Sequence, residues 1–272
     1  MSSAADVTTA RGSGTPRHRE RTRFPLSTLV KAEVLQRIRV PGFVISTLIF
    51  PMMFFAFFGL PNLGRRAGGA DVGAYMMASY GAYAVMSVAL ISFGVSISAE
   101  RGLGWNKLLR ASPMDPLAYF VAKVLMALVL GFLALALLFA FAAIVGHVSL
   151  PITFWVKITA LLITGMVPFV ALGLAIGYLA SPTAAAPIAN LISLPLSFAS
   201  GLFVPLQFLP PSVQHVAPYL PSYHVAELGW TLLGAGDGMA LGGHFAWIGG
   251  YAVAFMALAV IAYRRDEGRT FG

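Results

Sequence analysis

The chain has no cysteine. That absence excludes disulfide frameworks, thiolate zinc sites and catalytic thiols together, and it leaves the redox compartment unread. Charge is also scarce: Asp, Glu, Lys and Arg make up 10% of 272 residues, against roughly 25% in a soluble domain. No Gly-x-x-x-x-Gly-Lys-Ser/Thr loop occurs, and no polar stretch is long enough to hold a nucleotide fold. Any ATP-driven work must therefore use a separate subunit. His-Glu-x-x-His is missing too, and with it the metalloprotease arrangement of two His and a Glu at fixed helical spacing.

What the sequence has is apolar bulk. Hydrophobic residues reach 58%, with twenty Phe and eleven Met, and mean hydropathy is +0.81. A core of this size would not hide that much apolar surface from water, so the chain reads as an all-α integral membrane protein. A hydrocarbon core of about 30 Å needs roughly 20 apolar residues of helix. Six stretches meet that length, near 42–61, 74–98, 117–145, 156–180, 185–208 and 243–263, and none has Asp or Glu at its centre.

The net charge of +8 would suggest a nucleic-acid partner in a soluble protein. Here the placement of the basic residues sets orientation instead, and no nucleic acid is expected. Eight lie between Arg11 and Arg39, and Arg101, Lys107 and Arg110 follow the second span, with Lys123 just inside the third. Arg264, Arg265 and Arg269 close the chain. The opposite side has only Arg65, Arg66 and Lys157. This asymmetry predicts that both termini and the 99–116 loop face the cytoplasm, which requires an even number of spans.

Residues 1–23 are rich in Ser, Ala, Gly and Arg and read as a disordered basic tail beside anionic lipid. No apolar h-region begins before about residue 42, which argues against a secretory signal. The Arg and Ser content leaves a transit peptide open. A membrane domain over 24–265 and a short C-terminal tail over 266–272 complete the expected organisation.

Between tail and first span, Leu26, Val30, Val34 and Ile38 recur every four residues, joined by Leu35, while Lys31, Arg37 and Arg39 supply charge. Pro41 marks the stop, because the residue before a proline disfavours helix. This predicts an amphipathic helix in the membrane interface. It either contacts a partner or simply leads into the membrane.

After the second span, Glu100 and Arg101 lead into Trp105, Lys107, Leu108, Leu109 and Arg110. A short helix here would show an aromatic and aliphatic patch rimmed by charge. Composition leaves two readings open: a docking site, or anchoring of the loop at the headgroups. The 209–242 segment is punctuated by Pro210, Pro211, Pro218 and Pro221, and Ser222 is placed to cap a helix running to about Leu233. That helix is apolar enough to fold back against the membrane or between spans.

Signals for chemistry are thin. His224 and Glu227 are three apart and share a helix face, but two ligands do not close a metal site, so no metal is expected. His147, His215 and His244 fall in loops or at span ends and need no special role there. The spans hold serines, but no buried His or Lys to activate them apart from Lys123 and Lys157 near their ends. No catalytic residue is expected.

The fifth span carries a sharper pattern: Asn190, Ser193, Ser197 and Ser200 share one narrow helical face. Close helix packing and a substrate path both fit it, and Pro187 and Pro195 permit a bend. Tyr80, Tyr83 and Ser87 on the second span, with Phe50, Phe54 and Phe57 on the first, make further stripes, again read as packing or as an apolar cavity wall. Gly173 and Gly177 form a Gly-x-x-x-Gly that lets helices approach within or between subunits.

Three motifs in order carry a resemblance: Glu100-Arg101-Gly102 leading to Leu108-Leu109-Arg110-Ala111-Ser112-Pro113, Ser200-Gly201-Leu202-Phe203-Val204-Pro205 running into Leu209-Pro210, and Tyr219-Leu220-Pro221-Ser222-Tyr223-His224. With six spans and the N-terminal helix, the chain over about 24–265 resembles the membrane permeases of type 2 ABC transporters, the group containing daunorubicin-resistance and polysaccharide-export permeases. The resemblance implies a half-transporter of a bacterial cell membrane, in which two permease chains, identical or related, assemble with two cytoplasmic ATPase subunits. ATP and magnesium would be bound by those partners, and no cofactor by this chain. It further implies that the 24–39 helix and the 99–111 loop contact the ATPase, the loop as a coupling helix. Short re-entrant helices would precede the last span, and substrate would pass between the paired permeases, often along the second and fifth spans. Two other classes remain beside it: a passive channel or membrane scaffold without an ATPase, and an intramembrane enzyme.

Overall fold

The computed structural model describes residues 25–67, 69–104 and 116–270. The N-terminal tail and Trp105, Lys107, Leu108, Leu109 and Arg110 lie outside the described residues.

Helix α1 (Leu26–Ile38) ends just before Pro41, and α2 (Pro41–Asn62) follows. A two-stranded antiparallel hairpin, β1 (Arg66–Ala67) and β2 (Ala70–Asp71), turns through Gly69, whose φ of +96° suits a residue without Cβ. Asp71 then caps α3 (Val72–Gly102), its Oδ1 accepting from the Ala74 amide at 3.2 Å. Next come α4 (Pro116–Ile144), α5 (Ile152–Thr164) and α6 (Val167–Leu179). The chain continues with α7 (Ala185–Ala199), the short α8 (Pro211–Val216), α9 (Pro221–Leu232) and α10 (Leu241–Thr270). As far as Thr270, the expected C-terminal tail is a continuation of α10.

Among the described residues, five helices are long and apolar enough to cross a membrane: Pro41–Asn62, Val72–Gly102, Ala118–Ile144, Ile152–Leu179 and Leu241–Asp266. Within Ile152–Leu179, α5 and α6 run on with a break at Gly165 and Met166, where Pro168 removes an amide from the new first turn. The stretch expected as the fifth of six spans forms only α7, whose 15 residues rise about 22 Å. Gly201 sets that length. At φ +76° it closes a Schellman motif, with its amide bonded to Phe198 O at 3.1 Å and the Leu202 amide to Ser197 O at 3.0 Å.

Helix α3 is the axis of the molecule, buried over nearly its whole length and packed by α4, α6, α7 and α9. Small residues on every side of it (Gly81, Ala82, Ala89, Gly94) allow that many neighbours at close range. The Gly-x-x-x-Gly of α6 acts here, within the chain. A Cβ at Gly177 would sit 2.8 Å from Ile97 Cβ, and one at Gly173 would sit 3.0 Å from the Ala89 carbonyl oxygen. Gly177→Val should therefore overpack the α3–α6 contact and cost about 1–3 kcal/mol. Thermal unfolding in detergent checks this, and a midpoint equal to that of the unchanged chain would refute it.

Helix α2 is partly under-wound. Pro51 interrupts its amide ladder, and the turns at Ile45–Ile49 and Phe55–Gly59 are π-helical. The Ser46 and Thr47 hydroxyls each donate at 2.6 Å to the carbonyls of Gly42 and Phe43, four residues back, which favours bending.

Helix α9 is wedged among α3, α5 and α10, and Pro221 to Trp230 is buried throughout. Ser222 does not cap it. That residue lies inside the first turn, its hydroxyl paired with Ser200 and with Leu196 O. The helix starts instead at Leu220, with Pro221 at a first-turn position where a missing amide costs nothing.

Candidate functional site

Glu100 and Arg101 lie on the last turn of α3, immediately before the loop expected to dock a partner. Arg101 reaches across to the C-terminal end of α6, donating to Tyr178 O and, at 2.7 Å, to Ala180 O, and it pairs with Asp266 of α10 at 3.2 Å. Those carbonyls are the unpaired ones at a helix end, so the guanidinium completes them. Glu100 turns the other way. It accepts from Lys123 Nζ of α4 at 2.6 Å, from Ser96 at 3.0 Å and from the Tyr119 hydroxyl.

Lys123 is fully buried, and a lone ammonium in an apolar span needs opposite charge around it. Besides Glu100 it finds Glu33 of α1 at 3.1 Å, Ser96 at 2.8 Å and the face of the Tyr119 ring at 4.8 Å. Arg37 is buried beside them at 8% exposure. Burial lowers its guanidinium below the usual arginine value, while the charges of Glu33 and Glu100 oppose that shift.

The amphipathic reading of α1 is thus only half of what is found. Leu26, Leu35 and Ile38 remain exposed, and the side turned to α4 carries Glu33, Val34 and Arg37. The outcome is an ionic knot that ties α1, α3 and α4 together, with Arg101 extending it to α6 and α10. The signal in the sequence was the lysine inside an apolar stretch. Only ten acidic residues exist to neutralise it, and Glu33 and Glu100 fall next to spans on the same side.

The residues expected along a substrate path are mostly buried. Tyr80, Tyr83 and Ser87 of α3 are all buried. The Tyr80 hydroxyl donates to Phe203 O at 3.3 Å, and the Phe203 ring sits 4.4, 4.7 and 5.0 Å from those of Phe54, Phe198 and Tyr83. Phe50 is partly buried, whereas Phe57 is 67% exposed. On α7, Ser193, Ser197 and Ser200 are buried and Asn190 half-buried. Ser197 donates to Ser193 O at 2.7 Å and Ser193 to Asn190 O at 3.4 Å, so these hydroxyls are spent on their own helix.

Next to the Phe203 cluster opens a cavity of about 240 Å³, lined among others by Phe58, Arg65, Arg66, Met76, Phe203 and Gln207. It lies at the hairpin end of the bundle. At that same end, Tyr223, His224 and Glu227 of α9 meet Asp237 and His244. Burial and the neighbouring Asp237 charge push Glu227 up to about 7, and burial together with His244 holds His224 down to about 4. The sequence placed only His224 and Glu227 together, because Asp237 and His244 arrive through a connection with no local signature.

Long apolar helices with polar knots at their ends define a multi-pass membrane protein. The family model of the ABC-2 type transporter matches residues 25–229. The Bacillus subtilis (strain 168) protein named Putative transport permease YvfS is 28% identical over 242 residues, which cover 87% of this chain and 96% of that protein. This chain belongs to the ABC-2 type transporter family. Membership makes it a transporter component rather than an enzyme, and implies an ABC ATPase partner in general.

Proposed function

We propose that the chain is the membrane half of an ATP-driven exporter of the daunorubicin-resistance type, moving a hydrophobic or amphipathic compound (a drug, a lipid or a glycoconjugate) out of the cell. Two copies, or this chain and a related permease, assemble with two cytoplasmic ATPases that bind the ATP and magnesium. Both termini face the cytoplasm, and α7 with the buried turn Ser200–Phe203 serves as a sixth span. Helix α1 lies in the interface, the 99–111 loop docks the ATPase as a coupling helix, and α8 and α9 are the re-entrant pair on the outer side.

The observation that carries this reading is the ionic knot at the root of the 105–115 loop. A loop that takes up force needs rigid anchorage to the spans it moves. Glu100 and Arg101 give it bonds to α4, α6 and α10, and through Lys123 to α1. A passive channel has no use for such anchorage at that loop. The 240 Å³ cavity, aromatic with two arginines, suits a compound with an apolar body and a polar or anionic head.

The test is affinity purification of the gently solubilised chain from its own cells, with ATPase activity measured in the eluate. Trp105→Ala with Leu109→Ala runs beside it. The expected result is a co-purifying ATPase whose yield falls about tenfold in the double variant, as loss of a docking centre would require. An assembled chain without ATPase would replace this reading with the channel or scaffold.

A further inference from the structure

We propose that Glu227, Asp237 and His244 form a binding site for a divalent transition-metal ion, zinc being the best match to one imidazole and two carboxylates. Their donor atoms lie within 4.8 Å of one another. Zinc bonds of about 2.0–2.1 Å to nitrogen and oxygen place neighbouring ligands about 3.3 Å apart in a tetrahedron. His244 Nε2 and Asp237 Oδ1 already stand 3.4 Å apart.

Two further observations point to a ligand. His244 is fully buried and its Nε2 has no hydrogen-bond partner, although it faces Asp237. Its other nitrogen is engaged, with Nδ1 3.0 Å from Nδ1 of His224. If His244 donates in that pair, its Nε2 holds a lone pair directed at the carboxylates. A metal-bound histidine characteristically donates its remote N–H in this way. Moreover, among the described residues neither Glu227 nor Asp237 forms an ion pair with a lysine or arginine.

The carboxylates are held as ligands are. Asp237 accepts from the Tyr223 hydroxyl at 3.1 Å and the Met239 amide at 2.8 Å, and Glu227 accepts from the Asp237 amide at 3.1 Å and Thr231 at 3.4 Å. Asp237 keeps 26% side-chain exposure, so an ion can arrive from solvent and a water can fill the fourth position. The bound ion would clamp the middle of α9 to the start of α10 and to their connection. This role stands independently of what the chain transports.

The experiment is a zinc titration of the purified full chain in detergent, stripped with chelator and carrying a tag without histidines. Competition with a chromogenic chelator reads affinity, and thermal unfolding reads the clamp. One saturable equivalent per chain is expected, with a raised midpoint that magnesium and calcium do not reproduce. His244→Gln and Asp237→Asn should weaken binding by about tenfold or more, whereas His215→Ala leaves it unchanged. Asp237→Asn, on a half-exposed connection, decides the matter if His244→Gln does not fold. No saturable binding by the unchanged chain, or equal affinity in Asp237→Asn, would overturn the assignment.

Discussion

Lys123→Met should lower the stability of the chain by about 3 kcal/mol. Removing one partner of a buried ion pair costs about 3–5 kcal/mol, because the other charge is left without compensation. Here two lose it, Glu100 and Glu33, at 2.6 and 3.1 Å from the lost ammonium, with Arg37 still beside them. Their side chains keep 20% and 17% exposure, which holds the loss to the lower end of that range. The check is thermal unfolding in detergent, with Val124→Met, on the exposed face of the same helix, as reference. Adding Glu33→Gln and Glu100→Gln to Lys123→Met should recover most of the loss, since neutral amides need no counter-charge. A fall no larger than that of Val124→Met, or no recovery in the triple variant, would mean that the knot does not hold the helices together.

Trp230→Ala should be at least as damaging, at about 3–5 kcal/mol, the usual cost of deleting a large buried aromatic. The indole is 2% exposed, stacks on Tyr75 at 4.8 Å and meets Tyr223 edge-on at 6.1 Å. Its Nε1 donates to Ser79 Oγ at 2.9 Å, and this bond ties α9 to the central α3. Trp230→Phe should retain most of the stacking and lose chiefly that bond, worth about 1 kcal/mol. Urea unfolding of the two variants separates packing from hydrogen bonding. Equal losses in both would assign the whole effect to the Ser79 bond.

Much of this architecture was legible in the residues because a bilayer imposes a length on apolar runs. The expected spans near 42–61, 74–98, 117–145, 156–180 and 243–263 correspond to five long helices, within a few residues at most ends. The run at 185–208 misled on length. Hydropathy does not register that Gly201 adopts a left-handed conformation and ends α7. The stripes on α3 and α7 were legible as faces, but composition does not say what a face meets: Tyr80 and Tyr83 meet Phe203, and Ser193 and Ser197 bond within their own helix. The ionic knot needs Glu33, Glu100, Lys123 and Asp266 brought together from four helices, and the Asp237 cluster needs a loop to fold back. Contacts between residues so far apart in sequence leave no local period to read.

The knot has an electrical consequence. Arg37, Arg101 and Lys123 are matched in number by Glu33, Glu100 and Asp266, so these six side chains carry no net formal charge. Moving one unbalanced charge through 100 mV of membrane potential involves about 2.3 kcal/mol. A displacement of these six groups as one body would therefore contribute no gating charge of its own. Any voltage dependence of moving these helix ends would then come from charges outside the knot, such as Lys31, Arg39, Arg264 and Arg265.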